Sequence, residues 1–280
     1  MEIGQLLLIF LGLITGIASG VLGIGGGILM VPGLLAWGLP IQQASATSLV
    51  AVFINALSGT VRNWRAGDSQ PRGSLGLAIG GISTAQLGAE VATWVPAWAL
   101  AFSFAALQLL TIYFMGLRRR LAQNLKGQDL EAQDLEAQDL EAQDHLTSKI
   151  DSIPPGRAMA ILISIGLLAG FLSGLFGIGG GAVMVPLQML LVGMAIKPAI
   201  RNSLGAIMFI ALSGLIRHSA AGNVFWLGGV LLGLGGMIGA QLGSRSLPKL
   251  PDSLVNVLFR LLLLAMAGYT VARGIEGLRG

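Results

Sequence analysis

Cysteine is absent from the 280 residues, and charge is scarce: 11% of the chain is charged and 54% is hydrophobic. The lack of cysteine excludes disulfides, iron–sulfur clusters and thiol catalysis, but does not fix the compartment. Only two histidines occur, and no H-E-x-x-H pair, so a zinc-protease site is missing too. Neither a metal site nor a cofactor is expected. With a mean hydropathy of +0.79, the chain has too little charge to cover the surface of a soluble protein. Residues 3–61 contain no Asp, Glu, Lys or Arg, and neither do 73–89, 91–117, 158–196, 202–216, 218–244 and 261–272. About 20 apolar residues cross a bilayer as a helix. So many apolar runs, without period-2 alternation, predict a polytopic all-α membrane protein and not a β-barrel.

The first apolar run lacks a basic leader and continues into a motif described below, so it reads as a retained span and not a cleaved signal. The net charge of +4 and pI near 10.0 do not require nucleic acid. Lys and Arg cluster between spans, where the positive-inside rule accounts for them.

What the chain does contain is a repeat. SGVLGIGGGILMVP at 19–32 returns as SGLFGIGGGAVMVP at 173–186, with ten of fourteen positions identical. The repeat extends further. ATSLVAVFINALSGTVR (46–62) aligns with RNSLGAIMFIALSGLIR (201–217), Gly67 with Gly222, AQLGAE (85–90) with AQLGSR (240–245), and Pro96 with Pro251. The chain therefore divides into a first transmembrane repeat at 1–117, a polar linker at 118–156 and a second repeat at 157–280. The linker holds QDLEA three times in succession. It reads as a solvated tether or as a docking segment, and Arg118, Arg119, Arg120 and Lys126 put its start in the cytoplasm.

Each repeat has five apolar segments, near 4–21, 27–38, 42–62, 73–93 and 97–117 in the first. The second segment is short, begins with glycines and contains Pro32 (Pro186 in the copy). If it crosses, each half has five spans and the halves are inverted. If it turns back, each half has four and they are parallel. Counting Lys and Arg does not separate the two, and a start, Met1-Glu2, without a basic residue favours inverted repeats.

The GIGGG phrase resembles a phosphate-binding loop, yet the strand, the acidic residue and the Walker lysine are all missing. Three successive glycines instead predict a helix break with freed N–H groups, tolerated in a membrane only inside protein or beside a water-filled cavity. A new helix is expected at about Ile28 and about Ala182, its positive end offering an anion site. The competing account is close packing of helices through small residues.

The phrase SG-x-x-GIGGG-x-x-MVP, then ATSL and a small-residue SG before an Arg, resembles the TauE/SafE family of sulfite and sulfonate exporters. The resemblance covers both halves, all but 118–156. It implies a multi-pass carrier of sulfur-containing anions (sulfite, thiosulfate, sulfonates, sulfoacetate) in the bacterial inner membrane. One departure stands out. Arg201, Asn202 and Ser203 replace Ala46, Thr47 and Ser48, which makes the two half-sites chemically unequal.

Candidate substrate-binding residues follow from the break and from the few polar groups within spans. They are Gly25, Gly26 and Gly27 with Gly179, Gly180 and Gly181; Ser19 and Ser173 ahead of the glycines, as caps; Thr47, Ser48 and Asn55 with Asn202 and Ser203; and the matched Gln86 and Gln241. Each polar group reads equally well as an interhelical hydrogen bond. Arg260 lies inside a span, where charge is costly, or snorkels to the interface. Arg62 and Arg217 anchor loops or gate an anion, and Glu90 is interfacial. His218 sits at a span boundary, so no residue marks a proton relay.

These observations predict a transporter that holds a small anion by alternating access, with the lipid bilayer as surroundings, no nucleic acid, and a homodimer as a further partner. A channel-like carrier, or a carrier of another small anion, is the first alternative. A membrane sensor is the second. An intramembrane enzyme, with Ser213 and His218 as nucleophile and base, is the third.

Overall fold

The structure, a computed structural model, describes residues 3–22, 26–65, 67, 71–129, 154–194, 196–246 and 252–279. Gly25 and most of the QDLEA linker (130–153) lie outside the described residues. Among the described residues are ten α-helices: α1 Ile3–Leu22, α2 Gly27–Ala36, α3 Ile41–Arg65, α4 Pro71–Trp94, α5 Ala97–Asp129, α6 Pro155–Phe176, α7 Gly181–Leu187, α8 Ile196–Ala220, α9 Trp226–Ser246 and α10 Asp252–Arg279. A π-helical turn, Gln188–Val192, follows α7.

The glycine clusters break the helices as their chemistry requires. Gly26 (φ 80°) precedes α2 and Gly180 (φ 79°) precedes α7, both left-handed, a conformation that costs other residues roughly 1–2 kcal/mol. Helix resumes at Gly27 and Gly181, one residue ahead of the expected starts. Pro186 lies inside α7, where it cannot donate to the preceding turn, and the α-helix gives way to the π turn two residues later.

Among the described residues, four helices are long and apolar enough to cross a bilayer: Ile41–Arg65, Pro71–Trp94, Gly156–Phe176 and Pro198–Ala220. Their directions follow from which residues face one another. Gly214 faces Leu49 and Gly59 faces Leu204, so α3 and α8 run antiparallel. Gly229 lies on Val50, Gly233 on Ile54 and Gly236 on Asn55, so α9 runs parallel to α3. Gly12 on Leu232 and Gly16 on Gly236 align α1 with α9. In the same manner Gly76 on Met159 and Gly88 on Phe171 align α4 with α6, while Gly73 on Asn202 and Gly81 on Ile210 align α4 with α8. Most helix-borne glycines thus serve close packing of backbones, the role small residues take where no water drives association.

The short helices run through the middle. Gly26 lies near Ser19, Gly33 near Leu11 and Gly4 near Trp37, so α2 retraces α1 almost to its beginning. Met30, Val31, Leu34 and Met184 are completely buried, and Ile178 shares one apolar cluster with α2, Leu100, Phe104 and Leu232. Leu6, Phe10, Ile79, Leu87, Leu212, Ile216 and Ile238 point outward and form an apolar outer face. Such a face suits lipid and not water.

Candidate functional site

The two glycine turns meet where α3 and α8 cross. A Cβ placed on Gly27 would stand 2.5 Å from the carbonyl oxygen of Gly177 and 2.7 Å from the Cα of Ile178. Gly179 is wedged between Val52 of α3 and Ile207 of α8, 2.5 and 3.1 Å from the position of its own absent Cβ. Val52 and Ile207 are equivalent positions of the repeat, so Gly179 lies between matching points of α3 and α8. Distant in sequence, Gly27 and Gly177–Gly181 are neighbours in space.

Hydroxyls surround the second turn. The Ser48 Oγ lies 2.8 Å from the Gly177 carbonyl and 2.7 Å from the Ser45 carbonyl, its one proton shared between them. The Ser45 and Ser173 hydroxyls are buried and have no hydrogen-bond partner among the described residues. Ser173 therefore does not cap the break. Its carbonyl instead accepts the Gly177 N–H at 2.8 Å, which closes α6. An unpaired buried hydroxyl costs about 1–3 kcal/mol. The two hydroxyls belong to α3 and α6, the helices that flank the buried second turn.

The other candidate residues scatter. Ser19 is half-buried and lies beside Gly26. Thr47 is buried and its Oγ1 accepts the Phe225 N–H at 3.1 Å, tying α3 to the start of α9. Asn55 packs against Gly236, with neither amide atom bonded among the described residues. Asn202 and Ser203 belong to a different cluster, in which the Gln188 Nε2 donates to Ser203 Oγ at 2.8 Å and to the Met184 carbonyl at 3.1 Å. Gln86 and Gln241 are exposed on α4 and α9. Arg260 is half-buried, and its Nε has no partner among the described residues.

Sequence reasoning passed over Ser45, Gln188 and Gln108. Ser45 and Gln188 are fully buried, as is Gln108, whose Nε2 reaches the Ile28 carbonyl at 3.4 Å. His218 is the largest difference. It does lie in the last turn of α8, at the end of the span, yet it is fully buried, its Nε2 2.8 Å from the Gly174 carbonyl. Ser213 donates to the Ile82 carbonyl at 2.7 Å. The supposed nucleophile and base are therefore engaged elsewhere. Arg217 is ion-paired with Glu90 of α4, and both are partly exposed.

A cavity of about 360 Å³, lined by Pro40, Gln42, Gln43, Thr93, Ala221 and Asn223, opens at the same end of the helices. One turn further in, the elements that line it carry Ser45 (α3), Glu90 (α4) and His218 (α8).

The sequence profile of the sulfite exporter TauE/SafE family matches residues 8–270, nearly the whole chain. The chain belongs to the TauE/SafE family. Its TauE/SafE relatives include the "Probable membrane transporter protein YunE" of Bacillus subtilis, 28% identical over 96% of this chain and 98% of that one. A probable membrane transporter protein of Methanocaldococcus jannaschii is 29% identical over 77% of this chain and 72% of its own. One from Xylella fastidiosa is 38% identical over 42% of this chain and 45% of its own. No solved structure matches the chain. Membership and apolar helices together make this TauE/SafE protein a multi-pass membrane transporter, and the names of its relatives indicate a transporter rather than an enzyme.

Proposed function

We propose that the protein carries small sulfur-containing anions of the sulfite, thiosulfate, sulfonate or sulfoacetate class across the cytoplasmic membrane by alternating access. One observation carries this reading: Gly27 meets Gly177 and Ile178 at the crossing of α3 and α8, beside the unpaired hydroxyls of Ser45 and Ser173. Backbone N–H groups and hydroxyls bind an oxyanion without a buried cation, and a glycine-lined turn lets the ligand approach closely. Discontinuous helices at the contact of two repeats are a common construction of secondary transporters. Membership of a family of sulfite exporters supports the choice of anion.

The same reading takes the two repeats as inverted, each with five crossing elements. It is supported by the antiparallel course of α3 and its equivalent α8, and by α2 retracing α1. The cytoplasmic linker, the enclosing bilayer and a homodimer belong to this proposal.

Flux of labelled sulfite, thiosulfate and a sulfonate into proteoliposomes tests it. The wild type is expected to move at least one of them. Gly26→Leu and Gly180→Leu, which force a branched side chain into left-handed backbone, are expected to insert normally and carry none. Wild-type vesicles impermeable to all three anions refute the substrate assignment; normal flux in either variant refutes the site.

A further inference from the structure

Resting on that transport reading, we infer that His218 is a proton-binding site that couples anion movement to a proton taken from the vestibule at Pro40, Gln43, Thr93 and Asn223. The geometry fixes its chemistry. A backbone carbonyl only accepts, so the Gly174 oxygen 2.8 Å away requires the proton of the neutral ring to sit on Nε2. Nδ1 then holds a lone pair. It is buried and has no hydrogen-bond partner among the described residues. Gly174 lies one turn ahead of Gly177, so the imidazole is bonded directly to the helix end that leads into the central glycine turn.

The vestibule wall is bonded to the His218 backbone. The Asn223 N–H, in the vestibule wall, donates to the His218 carbonyl at 3.1 Å. The charged groups near the ring are Arg217, adjacent on α8, and Glu90, which pairs with it from α4. α6 carries Arg157, and α3 carries Arg62 and Arg65, at the opposite ends of those helices. Glu90 pairs with Arg217 and so offsets part of the cation's repulsion of an imidazolium here.

The step balances simply. A hydronium ion in the vestibule gives its proton to the Nδ1 lone pair, leaving water and an imidazolium whose Nε2–H stays on Gly174. Once the carrier opens to the other side, Nδ1–H returns the proton to water there. One anion and one proton cross together, which removes one negative charge from the net movement.

Two measurements test this. In proteoliposomes with sulfite and thiosulfate as probes, an imposed pH gradient is expected to drive wild-type accumulation. His218→Gln, which keeps an N–H for Gly174, is expected to retain anion exchange and lose that accumulation. Gradient-insensitive wild-type flux, or gradient-driven accumulation in His218→Gln, overturns the proposal. In the second, His145→Gln leaves His218 as the sole histidine, and its ¹⁵N resonances are followed in lipid nanodiscs against pH. Reversible protonation at Nδ1 supports the site; a ring that stays neutral across about pH 5–8 overturns it. If neither anion moves in the wild type, the transport reading falls while the titration still decides the proton site. The titration also decides if His218→Gln does not fold.

Discussion

Gly27 of the first repeat rests against the Gly177 carbonyl of the second, leaving space for a hydrogen and none for a methyl group. This contact joins halves 150 residues apart in the chain (177 − 27). It brings the broken ends of two helices to one place.

Gly27→Ala should part the two turns. The added methyl has backbone, not a flexible side chain, as its neighbour, so relief requires a main-chain shift. A destabilisation of about 1–3 kcal/mol is expected, the usual effect of overpacking, together with loss of anion flux. Thermal melting in detergent and proteoliposome flux measure the two effects. Unchanged values of both would contradict the contact.

Ser48→Ala should weaken the seat of the second turn. It removes a buried donor and leaves the Gly177 carbonyl without it, an effect of about 1–3 kcal/mol. Ser48→Thr keeps the hydroxyl and should recover most of the loss. Chemical or thermal unfolding of the two variants in parallel provides the comparison.

Glu90→Gln should destabilise by less than about 1 kcal/mol, because the pair with Arg217 is partly exposed, at 29% and 37%. The reversed pair, Glu90→Arg with Arg217→Glu, should restore whatever the single changes remove. A double-mutant cycle on melting temperature reads the coupling. Additive effects would show that the pair contributes nothing.

Single cysteines in an otherwise cysteine-free chain should report the direction of the repeats. With five crossings per half, Glu2→Cys reacts with an impermeant maleimide from one side of the membrane and Gln133→Cys from the other. Labelling of both from one side would mean that the first repeat crosses an even number of times.

Much of the fold was legible in the residues. Long charge-free runs announced helices, and the doubled GIGGG announced the breaks, because three glycines defeat helix wherever they occur. Ser48 was a candidate as a polar group within a span, but its bond to the Gly177 carbonyl is visible only in the fold. What escaped notice was polar side chains with no counterpart in the other half. Gln188 aligns with Leu34 and His218 with Asn63. A lone polar residue in an apolar run has no periodicity to distinguish a pore from a packing contact. His218 read as a boundary residue because it follows Arg217. It is one, in the last turn of α8, but the helical turn that sends Arg217 to Glu90 sends His218 inward to Gly174. The glutamines at 86 and 241 matched each other across the repeat, yet both face outward. Matching therefore recorded descent from a common half and carried no information on which way a side chain faces.

The crossing at Gly179, with Val52 on one flank and Ile207 on the other, has a consequence for directionality. A half-turn about that point exchanges α3 with α8, so on the inverted-repeat reading each access state is the other with its halves traded. Perfect twins would give both states the same energy. These halves are not twins: Thr47 bonds the backbone at Phe225, while its counterpart Asn202 lies in the Gln188 cluster. On the proposed alternating-access reading, that inequality offsets the two openings in energy and favours one of them at rest.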